Sequence, residues 1–351
     1  MLLDVRLLAC LVALPLSGCG TLYLAQAAAG QWQVMAARRP IAAVVADPAT
    51  PAPLRARLEE VAEARDFATH ALGLPGGASY RQYAAIGRPY VVWNVVAAPE
   101  FSVSPREWCF PVAGCVAYRG YFSERRARDY ALTLESRGYD VALGGVAAYS
   151  TLGRFADPVL SSMLAYGDVQ LAAVIFHELA HQVAYVPGDS AFNEAFAVSV
   201  EQEGLARWLA ARGRSDALAQ WRARRAGQAE VAALFAAARV ALRTLYAGPL
   251  AATAKRAEKR AILRELAGEL RAFEQRTGLA SGYARWFDAG LNNAVLASVA
   301  TYNDCVPGFE RVLQASGGDL PRYYAAVKAL AAGPAAGRAA LCARRSAQRN
   351  E

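Results

Sequence analysis

Apolar positions recur at helical spacing over residues 22–46 and 53–72, and the second run places Arg55, Glu59, Glu63 and Arg65 on its polar side. Both read as amphipathic helices. The pattern then changes, because residues 80–86, 90–96, 116–122 and 141–149 are rich in Val and Tyr and broken by Gly and Pro, which predicts short strands. A helical stretch over 123–137, capped by Ser123, interrupts them. From residue 157 onward nearly everything has a helical period. The expected fold class is α+β, mostly helical: a small mixed sheet, then a helix pair, then a helical carboxy-terminal lobe.

One helical run does not alternate. Leu171-Ala172-Ala173-Val174-Ile175-Phe176 is too apolar for a solvated face, and it leads into His177-Glu178-Leu179-Ala180-His181. Two of the chain's three histidines therefore lie four residues apart around a glutamate, on a helix that the pattern sends through the core. Positions i and i+4 share one helix face, so both imidazoles can converge on one metal ion while Glu178 sits beside it as general base. That is the layout of a zinc hydrolase, and one Zn2+ per chain is the expected cofactor. Two satisfied core histidines would be the competing reading, weakened by the acidic helix that follows.

A catalytic zinc takes three protein ligands. Asp189, Glu194, Glu201 and Glu203 are the candidates for the third. Val186-Pro187-Gly188-Asp189-Ser190 reads as a turn, since Pro187 disfavours helix before it, Gly188 permits a left-handed cap, and Asp189 or Ser190 can cap the next helix. In a tight antiparallel hairpin the residue level with the metal lies roughly seven to nine positions beyond the proline. Glu194, seven beyond, fits. Glu201 lies fourteen beyond, about 10 Å further along the helix. It suits a supporting role or a contact with a substrate amine, and it stays the rival ligand. Asp189 reads as a cap and Glu203 as solvated.

These residues resemble a known family. His177-Glu178-Leu179-Ala180-His181 with Asn193-Glu194-Ala195-Phe196-Ala197 is similar to the gluzincin metallopeptidases, whose third ligand is the glutamate of an Asn-Glu motif. The resemblance implies His177, His181 and Glu194 as ligands and Glu178 as base. The thirteen residues from His181 to Glu194 are fewer than those families use, and the twenty to Glu201 are closer to their spacing. The segments Tyr90-Val91-Val92-Trp93-Asn94, Trp108-Cys109-Phe110-Pro111, Gly114 to Phe122 and Ala148 to Gly153 resemble a bacterial lipoprotein family of predicted aminopeptidases. A zincin-like fold follows from the resemblance, with an edge strand along the cleft. Residues 146–153 are the candidate for that strand, with Tyr149, Ser150 and Thr151 facing the substrate. Relatives stabilise the oxyanion with a tyrosine or histidine; His70 reads as structural, so Tyr302 is the candidate here.

The amino terminus sets the compartment. Arg6 and an apolar run over residues 7–16, ending in Leu16-Ser17-Gly18-Cys19, resemble a lipoprotein signal in which Cys19 is lipidated. The expected location is the periplasmic side of a membrane, the outer one by the Gly20 that follows. Cys109, Cys115, Cys305 and Cys342 remain as an even set, for which local pairing of the first two and of the last two is the simplest of three connectivities. The net charge of +8 comes mostly from mixed Arg/Glu helices over 207–225 and 255–276, and an anionic membrane surface suits it better than nucleic acid. The chain divides into a signal (1–19), a helical segment (20–78), a catalytic core (79–212) and a helical lobe (213–351). Three functions fit: a zinc aminopeptidase or other peptidase acting on a peptide substrate, a peptidoglycan-directed amidase with the same chemistry, or a scaffold with a vestigial site. Intact Glu178 counts against the last.

Overall fold

The structure, a computed structural model, describes residues 19–110, 114–151, 155–299 and 305–342. Helix α1 (Cys19–Ala36) gives way to strand β1 (Arg38–Pro40) and helix α2 (Ile41–Ala46), so the single helix expected over 22–46 is broken. Pro40 explains the break. It lacks an N–H and fixes φ, which stops a helix arriving from Arg39 and lets a new one start after it. Helix α3 (Ala52–His70) likewise starts from Pro51.

The strand region holds β2 (Gln82–Ala84), β3 (Val92–Pro99), β4 (Trp108–Phe110), β5 (Gly114–Val116) and β6 (Arg119–Tyr121). Helix α4 (Glu124–Glu135) follows, with Ser123 accepting from the Arg126 N–H as expected. Strand β7 (Tyr139–Val146) and the two-residue β8 (Val159–Leu160) complete the set. Strands β6, β3 and β7 form an antiparallel sheet in that order, β1, β2 and β8 a mixed one, and β4 and β5 a pair closed by the Cys109–Cys115 disulfide.

Helices α5 (Asp168–Ala180) and α6 (Ser190–Ala211) come next, then α7 (Ser215–Ala247), α8 (Ala252–Thr277), α9 (Arg285–Ala289) and α10 (Asn293–Ser298). The run expected over 207–225 is interrupted at Gly213, whose φ of 66° is a left-handed turn that few other residues tolerate. Helices α11 (Val306–Ala315), α12 (Leu320–Ala332) and α13 (Ala335–Cys342) are the last among the described residues, and a Cys305–Cys342 disulfide ties their ends. Among the described residues no helix is long and apolar enough to cross a membrane.

Strand alternation makes three layers. Trp93, Val95 and Ala97 of β3 face Ala127, Ala131 and Leu134 of α4, while Val96 and Ala98 face Phe235, Leu242, Leu266 and Leu270 of α7 and α8. The larger core lies around α3, α5 and α6, with Phe309 and Tyr323 of the tail packed on Phe192 and Phe196. Arg65 corrects the helical-wheel reading. Placed on the polar side of α3 by its spacing, it is fully buried and donates to the carbonyls of Ser79, Pro75 and Gly77. The wet side of α3 is covered at that turn by the 75–79 loop.

Candidate metal centre

Helix α5 is apolar on almost every side, burying Leu171, Ala172, Ala173, Ile175, Phe176, Leu179 and Ala180, and a helix of that pattern belongs inside a core. Its antiparallel partner α6 comes close because Gly204 faces Phe176, where a Cβ would lie 3.0 Å from the ring. Between the two, Gly188 turns the chain at a φ of 80° and Asp189 caps α6 by accepting from the Phe192 N–H. Asn193 clamps the turn to the helix: its side chain accepts from the Val186 N–H and donates to the Val186 carbonyl, both at 2.8 Å.

This hairpin brings His177, His181 and Glu194 together, with one ligand atom from each inside a 4.8 Å group. The Glu194 oxygens lie 3.3 Å from His177 Nε2 and 3.8 Å from His181 Nε2. Ligands about 2.0–2.1 Å from a tetrahedral zinc are about 3.3–3.5 Å from one another. The donor set therefore fits that ion in type, number and spacing.

Glu201 sits elsewhere. Its Oε2 is 3.0 Å from His177 Nδ1, on the ring nitrogen opposite Glu194, and it is buried. Of the two roles expected for Glu201, the geometry gives the supporting one rather than the substrate contact: two turns beyond Glu194 on α6, it reaches the back of His177. A carboxylate there favours the proton on Nδ1, which would leave the Nε2 lone pair free for a metal ion.

The electrostatics agree with a cation site. Burial works against the His177 imidazolium, but hydrogen bonds to Glu194 and Glu201 more than offset it and raise its pKa to about 10. His181 moves the other way, to about 4, through burial and the neighbouring His177 charge. Burial also opposes the Glu194 carboxylate, yet its hydrogen bond to His177 holds it below the usual range. In the metal-free chain a proton on His177 thus takes the place of a cation between two carboxylates.

Glu178 lies on the same helix with its own surroundings. Burial raises its pKa, and the Ser150 hydroxyl hydrogen-bonds its carboxylate. Ser150 also reaches Asp157 at 3.4 Å and the Tyr80 hydroxyl. Asp157, buried, accepts from the Thr151 N–H and hydroxyl at 2.8 Å each. Tyr80 is the one non-glycine residue with positive φ among the described residues, at 62°, a conformation that costs about 1–3 kcal/mol unless held. Two hydrogen bonds hold the neighbourhood: Tyr80 N–H to the Asp157 carbonyl, and Arg65 to the Ser79 carbonyl one residue earlier. The sequence patterns missed Arg65, Tyr80 and Asp157. A buried-looking Tyr after the Gly76-Gly77 pair was the available signal.

The remaining expectations divide. Strand β7 ends at Val146, so residues 147–151 pass the site as irregular chain rather than as the edge strand expected over 146–153, and 152–153 lie outside the described residues. Tyr149 is not at the metal group; its hydroxyl bonds Gln31 and its ring packs on Phe122, because the chain after β7 turns that side chain towards α1. Ser150 reaches the site, but on Glu178. Tyr302 lies outside the described residues. Both disulfides have the local pairing.

A protein family described as "Putative aminopeptidase" matches residues 22–341, nearly the whole chain. The chain belongs to that family. No curated protein and no solved structure matches it. A peptidase-type hydrolase of this family, mostly helical with small sheets, is thus what carries the His177, His181 and Glu194 group.

Proposed function

We propose that this member of the aminopeptidase family is a zinc-dependent peptidase centred on His177, His181 and Glu194. The spacing of the three donor atoms carries the reading. When bound there, zinc supplies Lewis acidity to a scissile carbonyl and acidifies a water. The chain supplies the rest. Glu178 takes the proton from the attacking water and returns it to the leaving amine. Its carboxylate is raised by burial, which suits a base that must also act as an acid. Ser150 holds that carboxylate, with Tyr80 and Asp157 behind it. Glu201 fixes the His177 ring.

The two disulfides support an oxidising compartment, in line with export and a lipid on Cys19. Purified protein should contain about one zinc per chain. Glu178→Gln should keep that zinc and lose about 10²–10⁴-fold in peptidase rate. Zinc content unchanged in His177→Ala would overturn the assignment.

A further inference from the structure

A cavity of about 990 Å³ lies between the sheet and the α7/α8 hairpin, outside the metal centre. Its floor is the β3/β7 sheet face, where Asn94 pairs with Gly144 and Val96 with Ala142. Gly144 leaves that floor open, since a Cβ there would meet only the Arg285 guanidinium, at 3.8 Å. One face of α7 forms a wall, with Arg224, Gly227, Gln228 and Val231 at the i, i+3, i+4, i+7 spacing of a single helix side. Phe273, Tyr283 and Trp286 add aromatic surface.

The chemistry of this lining is one-sided. Among the described residues Arg224 and Arg285 both line the cavity, no acidic residue does, and neither arginine has a carboxylate partner. The buried Asn94 Oδ1 has no donor. An apolar, aromatic-walled volume with two guanidiniums that lack a carboxylate partner calls for a ligand with an apolar body and an anionic end. The chain that lines the cavity continues to Glu178. Val146 lines it, and four residues on, Ser150 touches Glu178, a reach of at most about 14 Å along the chain.

We propose that this cavity binds the carboxyl-terminal end of an oligopeptide, with its free carboxylate on Arg285 and Arg224 and its last side chains among Phe273, Tyr283 and Trp286. This deepens the peptidase reading and rests on it. A substrate cut near its amino terminus at Glu178 would extend along 146–150 into the cavity, which selects peptides of about four to six residues with a free carboxylate.

The test is calorimetric, on the zinc-loaded full chain. N-acetyl-leucyl-phenylalanine should bind about tenfold more tightly than its carboxyl-terminal amide. Arg285→Ala and Arg224→Ala should each reduce that preference, and the double variant should erase it. His177→Ala and Glu178→Gln should leave it intact, so a failed metal assignment would show in the zinc content and not here. Equal binding of acid and amide, no saturable binding, or a preference lost in both His177→Ala and Glu178→Gln would overturn the proposal. Tight binding of decanoate without binding of the peptide acid would overturn it too, in favour of a lipid ligand.

Discussion

The molecule contains two antiparallel helix pairs built on opposite patterns. In α5/α6 the apolar residues go round the helix, and thirteen residues of α6 alone are buried. In α7 the buried set is the narrow stripe Trp221, Gly227, Val231, Phe235, Ala238 and Leu242 along 33 residues. The difference teaches how to read polar side chains. Inside α5/α6 a polar group is costly unless partnered, and the buried polar residues of α6 each have a contact, Asn193 on the turn, Ser199 on Tyr323 and Glu201 on His177, while His181 Nδ1 is buried without one. On α7/α8 most charge is solvated surface, with Lys259 the buried exception, paired with Asp140, and a shared cavity makes Arg224 stand out from its neighbours.

Acidity should separate the pairs most. In the metal-free chain His177 has a folded pKa of about 10 against 6.5 unfolded, so its stabilisation is complete below about 6.5 and is lost as pH rises towards 10. His181, lowered to about 4, binds its proton more readily when unfolded, so stability is lost as pH falls from 6.5 to 4. Urea midpoints of the stripped protein should therefore peak near pH 6.5 and flatten in the His177→Ala/His181→Ala chain. A peak that survives in that variant would move the pH response out of α5/α6 and break the comparison.

Next in size is the core. Phe196→Ala, which empties the contact with Phe309, Tyr323 and Tyr324, should cost about 3–5 kcal/mol in urea unfolding. Glu201→Gln should lower zinc affinity by about 10–100-fold in competition with a chelator while unfolding cooperatively. Unchanged affinity would mean that the His177 ring is held by packing alone. The smallest and sharpest contrast uses one glycine from each pair. Gly204→Ala meets Leu72 at 2.7 Å and should cost about 1–3 kcal/mol. Gly268→Ala, exposed on α8 with nothing within 4 Å, should stabilise by about 0.5–1 kcal/mol. Thermal melts that give both the same sign would erase the distinction between the pairs.

What could be read in advance follows the same division. His177, His181 and Glu194 were legible because one helix and one tight turn relate them, so counting residues stands in for geometry. The helical lobe was legible from periodicity. Glu201 was placed on the correct helix face with a supporting role and a substrate contact both open, since spacing cannot say which side of a ring a carboxylate reaches. Tyr80 and Asp157 meet Glu178 from 98 and 21 positions away in the chain, and Arg65 holds the Ser79 carbonyl beside Tyr80, through loops whose path no periodic pattern describes. Arg65 shows the limit most clearly: a wheel shows which side of α3 is polar, but not that a loop of carbonyls will cover that side. Strands such as β1 and β8, three and two residues long, are too short to establish a period.

The Asn193 clamp has a consequence for how this protein can vary. Surface turns are where chains usually gain and lose residues at little cost. Here one added residue between Pro187 and Phe192 would rotate Asn193 by about 100° and displace it by about 1.5 Å along α6. Both contacts to Val186 would open, and Glu194, next in sequence, would swing off the axis shared by the two imidazoles. The turn thus behaves as a ruler rather than a spacer, and its length is expected to be inherited as strictly as the ligands it measures.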